Sequence, residues 1–196
     1  MSCRRGGRSA QTLAHLNAMN ILLYPFMLLS AMGLLLSAGS HLAALAGLPI
    51  PGGNLVWSLH AGIFVVWIPT VLVANRTTRY GKRSDFWKLA LSGCPAWARY
   101  ALYGLFGYAM LNFVLGMSHP PGHGDGSDAS NPGVEIRLFS GHWMVFYGAA
   151  FATLYSAINN AKLLKSRKCI RGHEIAPLDK FCPECGAVIE NGSTEP

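Results

Sequence analysis

Near its C-terminal end the chain reads "CIRGHEIAPLDKFCPECG", Cys169 to Gly186, which gathers three cysteines and a histidine on two short turns. Cys169 and His173 frame one turn with Gly172, and Cys182 and Cys185 frame the other with Gly186. Eight residues separate the pairs, enough for a hairpin to bring them together. Three thiolates and one imidazole close a tetrahedral zinc site with no open position, the structural rather than the catalytic arrangement. An iron site of four thiolates is a poorer match, since one ligand is His. The glycines suit turns whose backbone N–H groups face sulfur. So short a segment cannot bury a useful core, so the metal must supply its folding energy.

A second set of candidates lies in apolar sequence. His60 sits in "SLHAGIF" and His142 in "GHWMVFY", with Gly62 and Gly141 beside them. Imidazoles within lipid are costly and are candidate functional groups by default. Two neutral imidazoles facing each other across a helix bundle are what a six-coordinate b-type haem requires, and the glycines would leave room for a porphyrin edge. The residues alone leave other uses open. Each His could hydrogen-bond a neighbouring helix, or both could join a metal site with His41, His119 and His123. "HPPGHGDG" reads as a solvated loop.

These residues need elements to hold them, and the elements are membrane helices. The 196 residues are 51% hydrophobic and only 13% charged, about half the usual charged share. Four segments approach the ~20 apolar residues that cross a bilayer: 17–39, 54–75, 97–117 and 139–161. Pro25 and Pro69 fall inside spans, where lipid-embedded helices tolerate them. The first connector, "HLAALAGLPIPGG", is semi-apolar and suits the interface. "MSHPPGHGDGSDASNPGVEIR" is a Gly/Pro/Ser/Asp-rich loop. The expected fold is therefore an all-α integral membrane protein: a four-transmembrane-helix bundle over 1–165, then a small zinc-binding tail over 166–196.

The net charge of +7 is a topology signal. Arg4, Arg5 and Arg8 precede span one. Arg76, Arg79, Lys82, Arg83 and Lys88 separate spans two and three. Lys162, Lys165, Arg167, Lys168, Arg171 and Lys180 follow span four, and Arg137 stands alone on the other side. The positive-inside rule puts both termini in the cytoplasm, with no nucleic-acid partner needed to explain the charge. The basic first segment is too long for a signal peptide and reads as a retained helix. A cytoplasmic tail fits reduced cysteines; Cys3 and Cys94 are isolated, so no disulfide framework is expected. Spans two and four run in the same direction, so His60 and His142 sit at similar depth near the outer face.

From Cys169 to Gly186 the chain resembles the short zinc-ribbon modules of many prokaryotic proteins, which present a small rigid surface to a partner. The segments "AHLNAMNILLYPFMLLSAMGLLL", "SLHAGIF" and "GHWMVFY" resemble the first, second and fourth helices of the four-helix cytochrome b subunits of formate dehydrogenases and nickel–iron hydrogenases. That resemblance implies an outer haem b held by His60 and His142, and an inner haem held by His15 and a second histidine in helix four. Ser156 stands at that last place, and Leu16 stands where the family has Trp.

Three functions follow as expectations. The resemblance implies a prokaryotic inner-membrane electron-transfer subunit with one outer haem, working with quinone and redox subunits. The residues also support a non-catalytic anchor whose zinc ribbon recruits a cytoplasmic protein. A transporter is the weakest reading, because the spans carry no acidic residue and no matching pair of broken helices. No Gly-x-Ser-x-Gly elbow or phosphate-binding glycine loop is present, so any chemistry would belong to a bound cofactor.

Overall fold

The computed structural model describes residues 6–79, 83–118, 132–160, 167–175 and 179–189; the side chains of 6–20, 132–134 and 167 lie outside that description. Among the described residues five α-helices follow one another: α1 (Gly6–Leu45), α2 (Ser58–Thr78), the short α3 (Phe86–Ala90), α4 (Ala96–Ser118) and α5 (Pro132–Asn159). Two-residue strands β1 (Arg167–Lys168) and β2 (Glu174–Ile175) then pair antiparallel in the tail. Of the loop expected over 117–137, residues 119–131, with His119 and His123, lie outside the described residues, as does the His15 side chain; Met117 and Ser118 instead end α4, and Pro132–Arg137 open α5 as helix.

Helix α1 runs past the expected end of span one and takes in His41–Leu45, read above as part of a connector. Gly47 then stops it. At φ 65° it adopts the left-handed conformation that glycine favours after a helix C-terminus, and Leu48 N–H closes back on Ala43 C=O at 2.9 Å. A 3-10 turn over Gly53–Trp57 leads into α2.

Among the described residues, three helices are long and apolar enough to cross a membrane: Ile21–Leu45, Gly53–Thr78 and Ala96–Ser118. The fourth expected span, α5, has the length, 28 residues or about 42 Å at 1.5 Å per residue, but it is more polar. Its position explains this. Helix α5 packs against α1, α2 and α4, whereas α4 packs chiefly on α5. Ser140, Thr153 and Ser156 are buried on α5 with Trp143, Ala150 and Leu154, so polar groups there meet protein instead of lipid. On α4 only Ala109 and Asn112 are buried among the described side chains. The arrangement is therefore less a closed four-helix bundle than α5 flanked by the paired helices α1 and α2 and by a peripheral α4.

Lipid offers helices no hydrophobic reason to associate, so close packing and hydrogen bonds must hold them. On α1, Leu23, Ser30, Ser37 and His41 are buried at helical spacing, with Gly33 among them. Tyr147 of α5 fills the space between Gly33 on α1 and Gly62 on α2, and its hydroxyl donates to Leu59 C=O at 2.8 Å. Ser30 and Ser37 donate to carbonyls one turn back at 2.7 Å, which satisfies hydroxyls that lipid cannot.

Candidate metal centre and the histidine pair

In the tail each pair of ligands sits at the bend of its own small hairpin. The first is closed by β1 and β2, with Cys169 N–H donating to His173 C=O at 3.0 Å and Gly172 N–H to Cys169 C=O at 2.9 Å. The second is closed by a bridge between Phe181 and Val188, with Gly186 N–H donating to Cys182 C=O at 2.9 Å. Gly172 and Gly186 both take positive φ, 85° and 68°, as their place in the turns requires. Ile175, Cys182, Cys169 and Ile189 form a miniature core.

The four ligand atoms all lie within 4.8 Å of one another. Cys169 Sγ is 3.8 Å from Cys185 Sγ. His173 Nδ1 is 3.6 Å from Cys169 Sγ and 3.7 Å from Cys182 Sγ. A tetrahedron with Zn–S ≈ 2.3 Å and Zn–N ≈ 2.0–2.1 Å has S···S edges of about 3.8 Å and S···N edges of about 3.6 Å. The donor set and its spacing therefore fit a zinc ion at the common centre, bound through Nδ1. Burial raises the Cys169 thiol pKa, but the Arg171 and His173 backbone N–H groups and the neighbouring Cys182 and Cys185 thiols outweigh it and bring it to about 7. At Cys185 the Ala187 N–H acts downward, but burial and the competing thiols leave it raised. Metal binding must displace whatever protons the thiols still hold.

His60 and His142 do come together. Their ring centroids are 6.0 Å apart and their planes 13° from parallel, within a rim of Phe64, Phe139 and Phe146. A haem, however, does not fit between them. Trp143 Nε1–H donates to His60 Nδ1 at 3.0 Å, so the neutral ring carries its proton on Nε2. Haem ligation needs the reverse, a bare nitrogen on iron and the other N–H donated outward. The space expected beside the glycines is filled: at Gly62 by Tyr147, and at Gly141 by Asn112 and Ala109. A cavity beside His142, between α4 and α5, has a volume of about 230 Å³ and does not include His60; ligand sites usually measure ~300–1,000 Å³.

Other polar groups take roles the sequence did not show, and His41, a candidate metal partner of His60 and His142 by sequence, is one of them. His41 is buried and engaged through both ring nitrogens, Nδ1 with Ser140 Oγ at 2.8 Å and Nε2 with Tyr108 Oη at 2.5 Å. It thereby ties α1, α4 and α5 together. Arg137 donates from Nε to Asn112 Oδ1 at 3.2 Å, and Asn112 Nδ2 returns a bond to Arg137 C=O at 3.1 Å. Ser156, at the place of the inner haem histidine, is fully buried and accepts the Gly93 N–H at 2.8 Å. Beside it the Cys94 thiol donates to Ala152 C=O at 3.1 Å. Ser156 thus docks the turn before α4 onto α5. The signal for His41 was its spacing from Ser30, Gly33 and Ser37, legible only if α1 is taken to continue past residue 39.

No family model, curated protein or solved structure matches the chain.

Proposed function

We propose that this protein is a membrane-anchored adaptor whose zinc ribbon presents a rigid surface to a cytoplasmic protein. The observation that carries the reading is the set of three sulfurs and one imidazole nitrogen within 4.8 Å of one another on two facing hairpins, with three edges at 3.6–3.8 Å. In this reading α5 crosses the membrane with α1, α2 and α4, and both termini are cytoplasmic. The ribbon, following at residue 167, is then held close to the inner surface. Ile170, Phe181 and Val188 are strongly exposed on it, with Phe181 and Val188 paired across the second hairpin. Large apolar side chains left in water on so small a module support a protein partner.

Cross-linking in native membranes tests this. A discrete cross-linked species formed by the wild-type chain should vanish in Cys182→Ser while membrane insertion is unchanged. The same species at the same yield in the variant would defeat the recruitment role. The electron-carrier reading retains one favourable observation, the near-parallel imidazoles at 6.0 Å. An absorption spectrum of purified protein, oxidised and dithionite-reduced, separates the two: the adaptor shows no b-type α-band.

A further inference from the structure

The metal reading assigns His173 Nδ1 to the zinc, which leaves Nε2 facing away from the site. On that side, Nε2 is 3.5 Å from Oε2 of Glu184. Glu184 is not a ligand; it stands between Cys182 and Cys185 at the bend of the opposite hairpin. The carboxylate therefore meets the outer nitrogen of a ligand that belongs to the other half of the module. Metal-bound histidines characteristically donate that second N–H to a carboxylate or carbonyl, which fixes the tautomer and makes the ligating nitrogen more basic.

We infer that Glu184 is a positioning residue of the zinc site: its carboxylate accepts the Nε2 proton of His173 and so turns the bare Nδ1 toward the metal. The second hairpin thus supplies two thiolates and also orients the single nitrogen ligand of the first. The two halves are coupled twice, through the ion and around it. Both partners are partly exposed, 35% for His173 and 64% for Glu184, so solvent screens the interaction. The effect belongs at the lower end of the usual 10–100-fold range for outer partners.

This inference rests on the Cys169, His173, Cys182 and Cys185 site binding zinc, and the test keeps the two apart. Full-length protein in detergent is titrated with zinc against a competing chelator, as wild type, Glu184→Ala and Glu184→Gln. In parallel, nitrogen-15 NMR of labelled histidine reads which His173 nitrogen holds the proton. Wild type should bind one zinc with His173 protonated on Nε2. Glu184→Ala should bind about tenfold more weakly, and Glu184→Gln, which keeps an acceptor oxygen, should fall between. Cobalt substitution shows whether each variant still forms a tetrahedral thiolate site, so a weaker site is told from an unfolded one. A wild-type chain that binds no zinc overturns the metal reading itself. A wild-type chain that binds zinc as tightly as Glu184→Ala, with the same His173 signals, overturns only the role of Glu184.

Discussion

Tyr147 gives the sharpest prediction about the bundle. Its buried ring lies against the bare backbone of Gly33, where an added methyl would stand 2.6 Å from Cζ and closer still to Cδ1 and Cε1. The ring cannot simply retreat, because its hydroxyl is fixed to Leu59 C=O at 2.8 Å and would meet a Cβ at Gly62 at 2.5 Å. Gly33→Ala must therefore push the ring or separate α1 from α5. Overpacking of this kind costs about 1–3 kcal/mol, and the strained hydroxyl bond adds about 0.5–1.5 kcal/mol. A loss of about 2–4 kcal/mol lowers Tm by roughly 5–15 °C for a chain of this size. Tyr147→Phe, which removes only the hydroxyl, should cost about 1 kcal/mol. In a Tyr147→Ala background the clash disappears. Gly33→Ala should then be neutral or slightly stabilising, since alanine is the better helix residue by roughly 0.5–1 kcal/mol. Thermal unfolding of the four proteins in one detergent gives the coupling energy directly. A Gly33→Ala protein as stable as wild type, or one whose cost persists without Tyr147, would refute the packing described.

Other substitutions probe separate joints. In Gly93→Ala the new methyl would meet the backbone of Ser156, 2.9 Å from its Cα; since backbone cannot rotate away, a loss of about 2–3 kcal/mol is expected, measured by thermal unfolding. Trp143→Phe leaves His60 Nδ1 without its donor and should cost about 1 kcal/mol, with a shift in the His60 nitrogen-15 signals as the specific readout. Zinc affinity should fall steadily as pH drops from about 8 to about 6, because the ligands must be free of protons. In the metal-free ribbon Cys169, depressed to about 7, adds stability that is fully present above the ordinary thiol range and lost as pH falls through about 7. Chelator competition between pH 6 and 8 checks this, and an affinity flat across that window would contradict thiolate ligation.

Much of this was legible because it was local. Cys169, His173, Cys182 and Cys185 lie within seventeen residues, and their turns are forced by Gly172 and Gly186, so spacing alone announced the site. The apolar runs announced α1, α2 and α4 for the same reason. What failed to show was pairwise and long-range. His41 meets Tyr108 and Ser140 across 67 and 99 residues of chain, and no local pattern records that. That α5 packs against α1, α2 and α4, which explains its polar residues, is equally absent from its own run of apolar residues. The haem expectation relied on two histidines facing each other across two helices, and their rings do lie 6.0 Å apart. The tautomer set by Trp143 and the space taken by Tyr147 are properties of packing, which periodicity does not carry. Glu184 lay in plain view between two ligands, but its partner is on the other hairpin.

Zinc-edge X-ray absorption on the purified full-length protein tests the central claim most directly. The account predicts one zinc per chain with three sulfur neighbours at about 2.3 Å and one nitrogen at about 2.0–2.1 Å. A first shell of light atoms only, or a protein purified with adequate zinc supply that carries no metal, would contradict it.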